Sequence, residues 1–336
     1  MKRSIIVIII ITIVVFAVVI YWQTNNNDES NKIRLGYNVE SVNQAPIIVA
    51  YEKGYFSDQG LDVELVPLKS KETREALSIG QIDLGSAGAS NFFIPISVGA
   101  PVKIIAPLTN AAAFVFVDPA SQIKTLKNLE NTSIASRIGT SSNFMLRQVL
   151  IEKQINTENI EFLDIEKAYR AIALMEKDVA DAAVGGEYEV QDYLDSGAII
   201  LPEWEEKGYS QRQFPRTSLG VNTDFLNKNP YLVDRFIDAL ILSQKFIHDN
   251  QNASAEIVAN HINNESEGAA SFSKEEILIT WKSTSYPLWT DPNEIVAMSV
   301  IAKEIGDIDK SLIIEEIFDL RYQSKLNLEN EKLLVE

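Results

Sequence analysis

The chain has 336 residues, 46% hydrophobic and 23% charged, and a formal net charge of -17 at neutral pH. That length allows two lobes of ordinary domain size or one large α/β unit, the composition excludes global disorder, and the shortage of Lys and Arg sets nucleic acid aside as a partner. There is no cysteine and there are only two histidines, His248 and His261. Disulfides, thiolate metal sites, thiol nucleophiles and His-based metal or catalytic centres therefore lack material, and both histidines, set in polar helical stretches, read as solvated.

Lys2 and Arg3 precede an apolar run from Ile5 to Trp22 broken only by Thr12. As a helix this run reaches roughly 27 Å, close to the thickness of a bilayer core. The positive flank, followed by the polar stretch Gln23 to Lys32, predicts the short end inside and the bulk of the chain outside. No small-x-small site follows the apolar run, which favours an uncleaved anchor at 1–23 over a removed signal peptide. Tyr21 and Trp22 fit the outer interface. Residues 24–31 then form a hydrophilic tether, and the expected location is the cell membrane with the lobes extracytoplasmic.

Ile33 to Tyr37 alternates as a short strand, and a helix follows over Gln44 to Lys53, with Pro46 in its first turn and Gly54 at its stop. Asp62 to Val66 alternates again, Lys71 to Ile79 carries helix formers, and Asp83 to Ser86 is a strand running into the small residues Ala87 to Asn91. Val102 to Ala106 and Ala113 to Val117 are further apolar strands. Strands and helices in alternation imply a parallel or mixed sheet with helices on both faces.

A second round opens near Asp118, with a helix at Leu126 to Leu129, a strand at Ser133 to Ser136 and a helix start at Gly139 to Ser142. The junction from Ala76 through Gly80 to Asp83 has a counterpart from Ala173 through Asp178 to Asp181, which reads as two similar lobes. From Asn222 onward the chain is mostly helical. Asn229 and Pro230 open one helix with an apolar stripe of Leu232, Phe236 and Leu240, Ser273 to Glu276 is a capping box, and Pro292 to Ile305 is a further helix.

Ala45 to Phe56 followed by Gly60 to Glu64 resembles the nitrate/sulfonate/taurine solute-binding proteins and their thiamine-precursor-binding relatives. Ala76-Leu77 with Gly80 to Asp83, Gly99 to Lys103, Leu126 to Leu129 with Ser133 to Ala135, and Gly139 to Ser142 continue the likeness in order. The resemblance covers about residues 32–305. It implies an α/β type II periplasmic-binding-protein fold, with two lobes joined by crossovers near Phe116 to Pro119 and Pro215 to Gly220. The expected divisions are a first lobe at 32–116, a second at 117–217, a mostly helical return to the first at 218–325, and a tail at 326–336. Two departures stand out: Asp178, where relatives often carry glycine, and Gly185 to Tyr188, where many have a tryptophan and a proline around the acidic residue. Asp tolerates the left-handed conformation, so the first does not threaten the fold. The second bears on ligand identity.

The expected function is the solute-binding component of an ABC importer, with a small anionic or zwitterionic solute of sulfonate, nitrate or taurine type. The partners are then a membrane permease and its cytoplasmic ATPase. A thiamine pyrimidine precursor as ligand, and a ligand-sensing ectodomain, are the alternatives. Relatives of this fold that form pyrimidines or cleave sulfinates rely on cysteine or histidine chemistry that this chain does not readily supply, so no enzyme, cofactor or metal is expected. Gly139, Thr140, Ser141 and Ser142 offer hydroxyls and free amides at a helix start, an arrangement that holds an oxyanion but is also an ordinary cap. Gly88, Ala89, Ser90 and Asn91 would face them from the other lobe at strand ends, where α/β sheets bind ligands. Asn38, Gln44 and Thr109 fall where loops or a helix start enter the cleft. Glu187 is a candidate acceptor for an amino group, and Arg216, with Arg137, for neutralising an anion. Tyr37, Phe92, Phe144, Tyr188 and Phe214 are available for stacking, although such aromatics usually belong to a core.

Overall fold

The computed structural model describes residues 31–333. The expected membrane span, and all of the tether except Asn31, lie outside them; no helix among the described residues is long and apolar enough to cross a membrane.

In the first lobe β1 (Lys32–Tyr37) pairs in parallel with β2 (Asp62–Pro67) and with β3 (Leu84–Gly88). Helices Ala45–Glu52 and Ser70–Ser78 make the connections, so the inner strands β1 and β3 are largely buried as parallel strands must be, while the edge strand β2 leaves Asp62 and Glu64 exposed. β4 (Val102–Ala111) leads at once into β5 (Ala113–Val117). In the second lobe β6 (Ser133–Ser136) pairs in parallel with β7 (Glu161–Asp164) and β8 (Ala182–Gly186), while β5 runs antiparallel to β8 and to β9 (Ile199–Ile200). β10 (Phe214–Asn222) returns to the first sheet antiparallel to β3 and β4, and β11 (Thr284–Ser285) closes the edge. The sheet orders are β11-β4-β10-β3-β1-β2 and β7-β6-β8-β5-β9. Each therefore holds the same unit, three parallel strands followed by one antiparallel strand that belongs to a crossover.

The crossovers fall earlier than the sequence suggests. Val115 already pairs with Val184 of the second sheet, so the chain changes sheet at Ala112 rather than at Phe116. Phe214 already pairs with Ala111 of the first sheet, ahead of the Thr217 boundary. The pairing partners, not local composition, set these points. The expected tail from 326 is instead part of the helix Leu320–Leu333, whose Tyr322 and Leu326 are buried with the first lobe's core.

Asp178 adopts φ 54°, the left-handed turn expected of it. The long helix Pro230–Asp249 covers one face of the first sheet, and its Phe236 stacks on Phe56 with ring centroids 4.6 Å apart. The helix Pro292–Glu304 buries Ile295 and Met298 in one continuous core with Val115 and Phe144 of the second lobe, so the return segment braces the lobes behind the crossovers. His261 departs from its solvated reading. It is buried, because helix Gln251–Glu265 lies against Ala45–Glu52, and its ring bonds Tyr37 Oη at 3.1 Å and Glu52 Oε1 at 2.6 Å.

Candidate functional site

A cleft of about 190 Å³ lies where the carboxyl ends of β1, β3, β6 and β8 converge beside β10. This is the position at which α/β sheets place ligands, and its size is below the roughly 300–1,000 Å³ of sites for drug-sized molecules. A solute of a few heavy atoms fits it.

Ten of the expected residues line it: Asn38, Gln44, Gly88, Ser90, Asn91, Gly139, Thr140, Ser141, Ser142 and Arg216. Asn38 follows β1, and Gln44 ends a 3-10 turn capped by Ser41, whose hydroxyl accepts the Asn43 amide. Ser90 and Asn91 stand on the turn after β3. From the other lobe, Gly139 takes φ 77°, a conformation that favours glycine, and the helix Ser141–Glu152 starts after it. The Ser90 hydroxyl donates to the Gly139 carbonyl at 2.9 Å, joining the two walls.

Three expected residues do not line the cleft. Thr109 is fully buried and donates to the Asn43 carbonyl at 2.8 Å, so it braces the loop from behind. Ala89 is fully buried in the core, its methyl taken up by packing. Glu187 has no exposed side-chain area; its Oε2 lies 3.1 Å from Arg216 Nη1, which stands between it and the cleft as its counter-ion. The hydroxyls at the helix start also divide. The Thr140 hydroxyl and amide both turn back to the Arg137 carbonyl, at 2.7 and 3.3 Å. Ser141 donates to the Arg216 carbonyl at 3.4 Å. What the helix leaves for a ligand is its first amides, which have no intrahelical partner, and Ser142.

Of the five aromatics considered, only Tyr188 lines the cleft; Tyr37, Phe92, Phe144 and Phe214 are core. The remaining lining residues are Ser41, Asn43, Ser70, Arg137 and Thr217. Ser41 had a legible signal, a capping residue between a strand and a helix with proline in its first turn. Asn43, Ser70 and Thr217 had none.

Arg137 and Arg216 are the charged side chains of the lining, and each is paired with a carboxylate behind it. Arg137 Nη2 meets Glu189 Oε1 at 2.8 Å, and Glu189 Oε2 also accepts the Gly186 amide at 2.8 Å. Burial pushes the Glu187 carboxyl above the usual range, against the pull of Arg216. Burial also opposes the charge on Arg216, but the Glu187 carboxylate and Tyr188 hold it above the ordinary guanidinium value. Because a guanidinium does not lose its proton in proteins, titration of this pair belongs to Glu187. The cleft thus presents guanidinium N–H groups and helix-start amides, a set of donors suited to an oxyanion.

The family profile described as NMT1/THI5 like matches residues 41–254. The nitrate/nitrite binding protein NrtA of a Nostoc species is 24% identical over 255 residues; that stretch is 67% of this chain but only 56% of the relative, so the chain spans little more than half of its length. Among solved structures, the periplasmic aliphatic sulphonate binding protein SsuA of Escherichia coli superposes with a TM-score of 0.68 at 16% identity, over 86% of this chain and 92% of that one. The periplasmic nitrate-binding protein NrtA of Synechocystis gives a TM-score of 0.60 at 16% identity, over 89% of each chain. At such identities the structural likeness carries the two-lobe fold, while the profile covers more than half of the sequence. The chain belongs to the NMT1/THI5-like family, and its fold is that of these periplasmic binding proteins.

Proposed function

We propose that this chain is the extracytoplasmic solute-binding component of an ABC importer, held to the membrane by its N-terminal segment, and that it carries a small anionic or zwitterionic solute of the sulfonate, nitrate or taurine type. One observation carries the reading: a small cleft between two lobes whose charged lining is Arg137 and Arg216, with the start of the Ser141–Glu152 helix beside them and the glutamates turned behind. The nitrate- and sulphonate-binding relatives support the choice of solute class. Binding and release by lobe movement would need no catalysis. Titration calorimetry of the full chain in detergent against sodium nitrate, sodium ethanesulfonate and taurine tests it. Saturable binding of at least one, weakened ten-fold or more by Arg216→Ala, is the expected result, and no heat of binding with any of them removes the reading.

A thiamine pyrimidine precursor is the second reading, favoured by Tyr188, the aromatic that does line the cleft. Arg216 sits over that ring at 4.7 Å from its centroid, which leaves a flat ligand only the opposite face.

A further inference from the structure

Arg216 is held in a slot. One face of its guanidinium lies over the Tyr188 ring, and Nη2 donates to the Tyr188 hydroxyl. On the Gly186 side, a Cβ added to that glycine would stand 3.0 Å from both terminal nitrogens, so a side chain there would push the guanidinium out of its place by a few tenths of an ångström. At its end, Nη1 meets the buried carboxylate of Glu187 at 3.1 Å. Neither Glu187 oxygen finds a hydrogen bond of good geometry among the described residues, so the charge contact with Arg216 is what compensates this carboxylate. A buried pair of this kind is poor evidence of stabilisation, because desolvation offsets most of the attraction. It does fix orientation, and fixing a guanidinium before a ligand arrives lowers the ordering cost of binding.

The slot also joins the two lobes. Arg216 is on β10, where the next residue, Thr217, pairs with Gly88 of the first sheet, while Gly186, Glu187 and Tyr188 end β8 of the second.

We infer that Arg216 is the anchor for the oxyanion end of the solute, and that Glu187 and Gly186 are its positioning residues, with Glu187 acting on the ligand only through the guanidinium. This rests on the solute-binding reading above. It assigns Glu187 a different role from an acceptor for a ligand amino group, and it makes the acidic end of the solute the part recognised at the β10–β8 junction.

The test is a double-mutant cycle on the full chain in detergent, with sodium nitrate, sodium ethanesulfonate and taurine as probes and calorimetric Kd as the readout. Arg216→Lys, which keeps the charge but loses the planar fork, should weaken binding about ten-fold to a hundred-fold. Glu187→Gln should weaken it about ten-fold in the parent and less than two-fold in the Arg216→Lys background, since a lysine offers no planar fork for Glu187 to orient. Gly186→Ala, which closes the slot from its other side and leaves both charges in place, should weaken binding several-fold. It carries the test should Glu187→Gln not fold, and unchanged affinity in Gly186→Ala would then overturn the inference. An equal Glu187→Gln effect in both backgrounds, or none in the parent, overturns the inference while leaving the proposed function standing. A parent that binds none of the three probes overturns both.

Discussion

Asp83 and Asp181 hold matching corners of the two sheets. Oδ2 of Asp83 accepts the Arg34 amide of β1 at 2.8 Å, and Oδ2 of Asp181 accepts the Ser133 amide of β6 at the same distance. The exchange is reciprocal, since the Asp83 amide donates to the Arg34 carbonyl at 2.9 Å and the Asp181 amide to the Ser133 carbonyl at 2.8 Å. Each aspartate follows a left-handed residue, Gly80 in one lobe and Asp178 in the other. Each closes the helix-to-strand turn onto the central strand of its sheet's three parallel strands, β1 in one lobe and β6 in the other.

Asp83 is buried and also receives Arg34 Nη2 at 2.8 Å, whereas Asp181 is exposed. Asp83→Ala should therefore destabilise by about 1–3 kcal/mol, the cost of orphaning a buried donor, and Asp181→Ala by less, because water can replace its carboxylate. Urea unfolding of both variants checks the order.

Gly220 lies against the Phe92 ring, where a Cβ would approach to 2.5 Å. Gly220→Ala should cost about 1–3 kcal/mol by overpacking and should also weaken solute binding, because Phe92 belongs to the turn that carries Ser90 and Asn91. Chemical denaturation and calorimetry on the same preparation measure both effects.

Thr140 and Ser142 should separate. Thr140→Ala removes the bond to the Arg137 carbonyl and should lower stability by about 1 kcal/mol with little change in affinity. Ser142→Ala should leave stability nearly intact and weaken binding about ten-fold. The reverse pattern in thermal denaturation and calorimetry would make Thr140 the ligand contact.

Arg212, just ahead of β10, grips Glu152 at the far end of the Ser141–Glu152 helix with bonds of 2.8 and 2.9 Å. Hydrogen bonding from Arg212 holds the Glu152 carboxyl below its ordinary 4.5. The tie is thus complete above about pH 4.5 and is lost as pH falls through the depressed value. Acid unfolding followed by circular dichroism should show a shallower loss of stability in this window for Glu152→Gln than for the parent, and parallel curves would count against the tie.

The N-terminal anchor is a proposal from the sequence, and intact-mass analysis of the exported protein measures it directly. A mass that retains residues 1–23 is expected, and loss through about Trp22 would show a cleaved signal.

Much of the fold was legible because local patterning and tertiary demand agree. The alternation at Ile33–Tyr37 and Asp62–Val66, the proline and glycine that bound the first helix, and the capping box at Ser273 all act within a few residues. The helix start at Gly139–Ser142 was legible for the same reason, and it lines the cleft. The sheet change at Ala112 was not, because it depends on which distant strands receive β4 and β5. His261 was misread because its polar neighbours in sequence give no sign that its own face packs on another helix.

By itself, the sequence determined the α/β alternation and a hydroxyl-rich helix start, which follow from short-range spacing, and the resemblance of its ordered motifs carried the family and the two-lobe organisation. Only the tertiary structure decided which polar groups meet a solute and which meet each other. Glu187 and Arg216 come from different sheets and Thr109 bonds a loop far away in the chain, and no local pattern encodes where a side chain satisfies its charge or its hydrogen bond once burial removes water as a partner.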